Sequence, residues 1–203
     1  MVDGVSEVGS LPELYPALYQ RSGNEFGAPI KANIQPTAPV GAIVGACVQP
    51  VRQAFARSAD LAVVLLDREM RSECPGEFAA EILAGLRDKV EDGDVAVVVK
   101  NRMFENWLIA DLGALKKQRG RYAVSKAAAK KVESNKADNV DATPLLKQCC
   151  KSDYRKVQDA KKILAHADPG VIGLHSRSFR RMLRCIRDPQ YTDQSRQPAA
   201  SGT

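Results

Sequence analysis

The sequence predicts an α/β domain, with a parallel-rich sheet carrying helices on both faces, followed by a C-terminal helical extension. Two continuous apolar runs carry the prediction, Leu61–Leu66 and Asp94–Val99. Such runs read as strands buried on both faces, the pattern of parallel strands. Apolar residues at helical spacing lie before, between and after them, and strand–helix–strand alternation places helices on the faces of a sheet.

In chain order, Met1-Val2 is an apolar stub ahead of Asp3-Gly4-Val5-Ser6-Glu7. The pattern over Val8–Gln20 predicts a helix with Leu11, Leu14, Tyr15 and Leu18 on one face, and Ser6 or Ser10 as its cap. Residues 21–29 hold Gly, Asn and Pro and read as a loop. Ile30–Ile34 alternates apolar and polar, as a half-buried strand does. Val40–Arg57 reads as a helix interrupted or bent by Pro50. Gly76–Val90 places Phe78, Ile82, Leu83 and Leu86 at helical spacing. Glu105–Lys117 does the same with Trp107, Leu108, Ala110, Leu112 and Leu115.

Residues 119–143 are polar, basic and poor in large apolar groups, and read as a mobile or surface-hugging connector. Helical patterns resume at Pro144–Cys150, Tyr154–Ala167 and Ser178–Arg187, with boundaries at Ser152-Asp153 and Asp168-Pro169-Gly170. From Asp188 onward the chain is rich in Gln, Ser, Pro and Ala and reads as disordered. The expected division is therefore an α/β domain over 1–118, a connector over 119–143, a helical extension over 144–187 and a tail over 188–203.

A chain of 203 residues can bury a core without a disulfide or metal staple. Its opening residues have neither the basic nor the apolar region of a signal peptide. No apolar run approaches the roughly 20 residues that a membrane helix needs. The five cysteines, at 47, 74, 149, 150 and 185, show no CxxC spacing. Reduced thiols and a cytoplasmic location are the expectation. The adjacent Cys149 and Cys150 splay apart and make a poor zinc pair.

Charge divides the chain. Residues 1–99 carry 8 Lys and Arg against 14 Asp and Glu, while residues 100–187 carry 21 against 8. An acidic half beside a basic half suits a site that holds a cation and attracts a polyanion, although basic helices also decorate ordinary surfaces.

The strand at 61–66 ends in Asp67-Arg68-Glu69. Ligands of open α/β sheets bind at the carboxyl ends of the strands. In an extended backbone, residues two apart point the same way, so Asp67 and Glu69 would face one site. Paired carboxylates there suit Mg²⁺ bridging to phosphate, with Mn²⁺ as a substitute. Acids after a strand also simply begin solvated loops. Asp3 with Glu7, and Glu105, are further acids at strand or helix ends, and Gly4 permits a tight turn or close approach to a phosphate.

This arrangement resembles the Toprim fold, in which a Glu-Gly pair ends the first strand and an Asp-x-Asp pair ends a later one. The matching positions read Asp3-Gly4 and Asp67-Arg68-Glu69. The wider pattern is similar to a bacterial family of uncharacterised Toprim-like proteins often encoded beside ABC- or AAA-type ATPases. That similarity rests on Val2–Glu7, on Asn101-Arg-Met-Phe-Glu-Asn-Trp107 and on Ser176-Arg-Ser-Phe-Arg-Arg181. The acid lengths are exchanged, Asp3 standing for Glu and Glu69 for Asp, and few residues precede Asp3 to make a first strand.

The resemblance implies Mg²⁺-dependent cleavage of phosphodiester bonds, in a bacterial defence or toxin setting with an ATPase partner. Asp67 and Glu69 would then hold one or two ions, and Asp3 would complete the site as ligand or general base. Glu7 and Glu105 are additional metal candidates. Arg102, Lys156, Lys161, Arg177, Arg180 and Arg181 form the expected nucleic-acid surface. Two other readings stay open: a catalytically degenerate adaptor that binds an ATPase or nucleic acid, and a phosphotransferase acting on a small substrate.

Overall fold

The computed structural model describes residues 1–35, 37–133 and 135–191. The chain opens with α1 (Val5–Ser10), a 3₁₀ turn (Leu11–Leu14) and α2 (Tyr15–Ser22). Then come α3 (Val40–Ala56), β1 (Leu61–Asp67), α4 (Pro75–Arg87) and β2 (Asp94–Lys100). The rest is helical: α5 (Glu105–Ala110), α6 (Leu112–Lys116), α7 (Lys126–Val132), a 3₁₀ turn (Ala137–Asn139), α8 (Ala142–Cys149), α9 (Lys156–Leu164), α10 (Pro169–His175) and α11 (Arg177–Cys185).

The sheet is small, parallel and in unbroken register, from Leu61 opposite Asp94 to Asp67 opposite Lys100. The Met1-Val2 stub adds a third lane, because Val2 bridges in parallel to Leu65 on one side and to Lys31 on the other. Its carbonyl receives Ala32 N–H at 2.8 Å, and Leu65 N–H donates to Met1 O at 3.0 Å. The strand expected over Ile30–Ile34 reduces to the Lys31 bridge. The lane beside it ends after two residues, so no longer ladder can form. The lanes therefore lie in the order 31, 2, β1, β2. The direction of chain advance reverses between the lane of Val2 and β1, which is where open α/β sheets place their ligand crevice.

Both faces of the sheet are covered. Ala62, Val64 and Leu66 of β1, with Val95 and Val99 of β2, join Val44, Val51, Phe78, Ile82 and Leu86 of α3 and α4 in one apolar cluster. Leu65 and Val98, pointing the other way, join Val2 and the helices from α5 onward in a second. The alternation follows from the pleat.

The second cluster draws on segments from each of the expected divisions. It runs from Val2 to Tyr191 and includes Ala128, Val132, Ala137 and Ala142 of the segment read as a connector. Those residues are small, so burial by close approach leaves little trace in an apolar pattern. Asn106 fastens the same segment, donating from Nδ2 to the carbonyls of Ala137 and Val140 at 2.8 Å each. The C-terminal helices thus cover the second face of the sheet.

Other boundaries shift for local reasons. The helix expected over Val8–Gln20 is divided, with Pro12 and Pro16 each in the first turn of a new element. α3 runs through Pro50 without interruption. The Glu105–Lys117 helix breaks at Asp111, whose carboxylate caps α6 through Ala114 N–H and also accepts Asp168 N–H at 2.9 Å. Asp168 in turn caps α10. Of the tail expected to be disordered, Asp188 and Tyr191 are buried, and Asp188 accepts from Arg21. Residues 192–203 of that expectation lie outside the described residues. No helix among the described residues is long and apolar enough to cross a membrane.

Candidate functional site

Asp67 is the last residue of β1, and Lys100, opposite it, is the last of β2. Counting alternate positions from Leu65 and Val98 puts both side chains on the face covered by α1. Asp3 follows the bridging Val2 in the next lane. Its Oδ2 accepts the backbone N–H of Asp67 at 2.7 Å, which ties the two lane ends together. Glu7 comes from α1, which packs over this edge of the sheet against α9.

Three carboxylates therefore meet one ammonium. Lys100 Nζ lies 3.1 Å from Asp3 Oδ1, 2.6 Å from Glu7 Oε1 and 3.0 Å from Asp67 Oδ1. It donates hydrogen bonds to the first two, while Asp67 Oδ1 faces it as an ion-pair partner without hydrogen-bond geometry. Glu7 Oε2 accepts from Ser6 Oγ at 2.9 Å. Gly4 makes this possible, since a Cβ there would stand 2.1 Å from Glu7 Oε2. The Asp3-Gly4 pair thus needs its glycine to leave room for the Glu7 carboxylate.

Burial sets the electrostatics. Desolvation pushes the Asp67 carboxyl up to about 7; Lys100 opposes the rise, while Asp3 and Glu7 add to it. Desolvation also acts on Glu7, but Lys100 and the Ser6 hydroxyl outweigh it and hold that carboxyl below its usual range. Burial alone would lower the proton affinity of the Lys100 ammonium. Asp67, Asp3 and Glu7 together hold it well above the ordinary lysine value.

Outside this knot lies a small cleft of about 150 Å³. Asp3, Gly4, Glu7, Asp67 and Glu69 line its acidic side, Ile34, Ile43 and Phe78 an apolar side, and Arg71 and Lys156 bring positive charge. Arg71 lies over the Phe78 ring at 4.7 Å and is anchored to the Ala38 carbonyl. Lys156, at the start of α9, pairs with the buried Glu105 at 3.0 Å. Burial lowers its proton affinity, but Glu105, with Asp67 and Glu7, more than compensates and the net shift is upward.

Among the described residues, Asp3, Glu7 and Asp67 are grouped with ligand oxygens within 4.8 Å of one another. Hard oxygen donors in excess of the single ammonium fit a divalent cation of the Mg²⁺ class. Glu69 lines the same cleft but does not share the strand: β1 ends at Asp67, and Glu69 has turned to φ 55° with its N–H on the Arg102 carbonyl at 2.7 Å. It reaches the cleft through the loop and not by strand alternation. Glu105 stands one step away, joined to the cleft through Lys156. Its Oε2 is buried without a hydrogen-bond partner.

The expected nucleic-acid residues differ in exposure. Lys156 reaches the cleft, and Lys161 is exposed and pairs with Glu13 at 3.5 Å. Arg177 is exposed, and Arg102 and Arg181 are half-buried. Arg180 is turned inward: it is buried and donates to the Gly173 carbonyl at 2.6 Å and to Asn135 Oδ1 at 2.9 Å. Its place on a charged helix face fails because the opposite wall of the core supplies acceptors for it. Trp107 is likewise structural, donating to Ser178 Oγ at 2.8 Å and meeting the Phe179 ring edge-on.

Sequence reasoning missed Lys100 and Arg71. For Lys100 a signal existed: two apolar runs end in opposite charges, Asp67 and Lys100, which in-register parallel pairing would bring side by side.

The chain belongs to the DUF4276 family, a domain of unknown function, whose model matches residues 15–187. That match includes Asp67, Glu69, Lys100, Glu105 and Lys156 and begins after Asp3 and Glu7. No curated protein and no solved structure matches the chain.

Proposed function

We propose that this protein, a member of a family of unknown function, is a Toprim-like, Mg²⁺-dependent nucleic-acid phosphodiesterase. The observation that carries the reading is the meeting of Asp3, Glu7 and Asp67 at the carboxyl edge of a parallel sheet. It lies where the lane order reverses, beside a cleft flanked by cationic side chains. Asp3, Glu7 and Asp67 are the residues that would hold the cation. When bound, the ion would stabilise charge on the scissile phosphate and favour ionisation of an attacking water. Glu69, on the cleft wall, is assigned to accept the proton of that water. Lys156 and Arg71 are assigned to the phosphate oxygens, and the exposed cations of the C-terminal half, Lys161 and Arg177 among them, to the flanking strand. A bacterial defence or toxin setting with an ATPase partner belongs to this reading through the resemblance alone.

A second reading, a non-catalytic adaptor, is favoured by one observation: Lys100 already neutralises part of the carboxylate cluster. The two separate on cation dependence. The test is cleavage of labelled DNA and RNA in Mg²⁺ or Mn²⁺ by the wild type, Asp67→Ala and Glu69→Ala. Cleavage that requires the cation and is lost in both variants supports the phosphodiesterase. A folded wild type that cleaves neither substrate, yet binds nucleic acid or an ATPase in chelator, supports the adaptor.

A further inference from the structure

We propose that Lys100 is a resident cation of the carboxylate cluster, so that the site takes one divalent ion where the same acids without the lysine would take two. The proposal rests on the cation reading above, not on cleavage. In two-metal sites the ions stand about 3.5–4 Å apart, each drawing on the same carboxylate set. Here one oxygen from each of Asp3, Glu7 and Asp67 lies within 3.1 Å of Nζ. That is the inner position which one of two metals would take, and it is filled by a side chain.

Lys100 is also sealed. It is 0 % exposed, and the Phe104 ring lies 5.6 Å from Nζ, so it reaches neither solvent nor a substrate in the cleft. It acts through the acids it holds and is a positioning residue. The second oxygens of two of those acids are engaged as well, Asp3 Oδ2 by the Asp67 N–H and Glu7 Oε2 by Ser6. The capacity left toward the cleft is the second oxygen of Asp67, the remaining lone pairs of Asp3 and the Glu69 carboxylate on the wall. Three carboxylates less one ammonium leave a charge that one divalent ion balances. A lysine also needs no supply of metal, so the acids are held together before any ion arrives.

The test is Mn²⁺ titration of the full chain by calorimetry and electron paramagnetic resonance, with the Lys100→Met variant alongside. The expected result is one Mn²⁺ per wild-type chain and two per Lys100→Met chain. Two Mn²⁺ of comparable affinity on the wild type overturn the proposal and leave the phosphodiesterase reading standing. One Mn²⁺ without nucleic-acid cleavage leaves the proposal standing and removes that reading. No Mn²⁺ on the wild type overturns both. Thermal melting in chelator and in Mn²⁺ provides a readout that does not need saturated sites. Lys100→Met should melt below wild type in chelator and gain more from Mn²⁺ than wild type gains. Equal gains, or none, would assign Lys100 an ordinary packing role and overturn the proposal.

Discussion

Asp67 and Lys100 are partners in the parallel register of the sheet, and their charged ends meet at 3.0 Å under a helix that adds Glu7 to the pair. The contact joins fold to site, because the two strand ends cannot separate without exposing a buried ion cluster.

Replacing Lys100 by Met should therefore destabilise the protein strongly in the absence of metal. Removing one partner of a buried ion set leaves uncompensated charge, a loss of about 3–5 kcal/mol in comparable cases. The loss should be smaller at pH 5 than at pH 8, since protonation relieves the repulsion among the remaining acids. Urea unfolding of wild type and variant at the two pH values measures it. An equal loss at both would show that charge is not the cause.

Asp67 has a pH signature of its own. Its folded-state pKa is about 7, above its ordinary value of 3.8. Between those limits the folded protein holds a proton that the unfolded chain has released. Asp67 therefore favours the folded state at low pH, and this contribution is lost as pH rises from about 4 to 7. Glu7, held below its usual range, acts in the opposite sense and loses its contribution only at more acidic pH. The melting temperature of Asp67→Asn, compared with wild type, should thus gain steadily over pH 4 to 7. A constant difference across that range would remove Asp67 as the titrating group.

Gly4→Ala should disturb the site without touching a charged residue. The added methyl falls on the Glu7 carboxylate, and overpacking of this kind costs about 1–3 kcal/mol. Cation affinity should drop together with stability. Gly27→Ala is the control, because a Cβ at Gly27 meets nothing within 4 Å. Calorimetric Mn²⁺ titration and urea unfolding of the two variants make the comparison, and equal behaviour would show that Glu7 can move at no cost.

A chain cut after residue 118 should fail to fold as a soluble domain. The cut removes Leu145, Leu146, Ile163, Ile172, Phe179 and Leu183 from the cluster that covers Val2, Leu65 and Val98. It also strips Trp107 of its Ser178 acceptor. Recovery of a soluble fragment with sharp, dispersed amide resonances would show that the α/β part stands alone.

The elements that fill both faces of the sheet were legible in the chain itself. β1 and β2 bury residues on both faces, Val64 and Leu65 in one and Val98 and Val99 in the other, and burial of that kind writes an uninterrupted apolar run into the sequence. The acids at the end of the first run, and Asp3 with its glycine, could be read as well, because strand ends are where such residues have a use. Glu7 carried a weaker signal. Near a helix start an acid also serves the helix dipole, and only the packing of α1 over the sheet edge turned it into the cluster.

By itself, then, the sequence determined the class of fold, the acidic strand end and the charge asymmetry between the halves, since each is a local or compositional property. Tertiary structure alone decided four things. It set the register that puts Lys100 against Asp67. It turned Arg180 inward to Gly173 and Asn135. It recruited Ala128, Val132, Ala137 and Ala142 to the core. It moved Glu69 from the strand to the loop. All four depend on which distant segment lies alongside. A residue's pattern records how much it is buried, while the identity of the neighbour that buries it is settled only when the layers close.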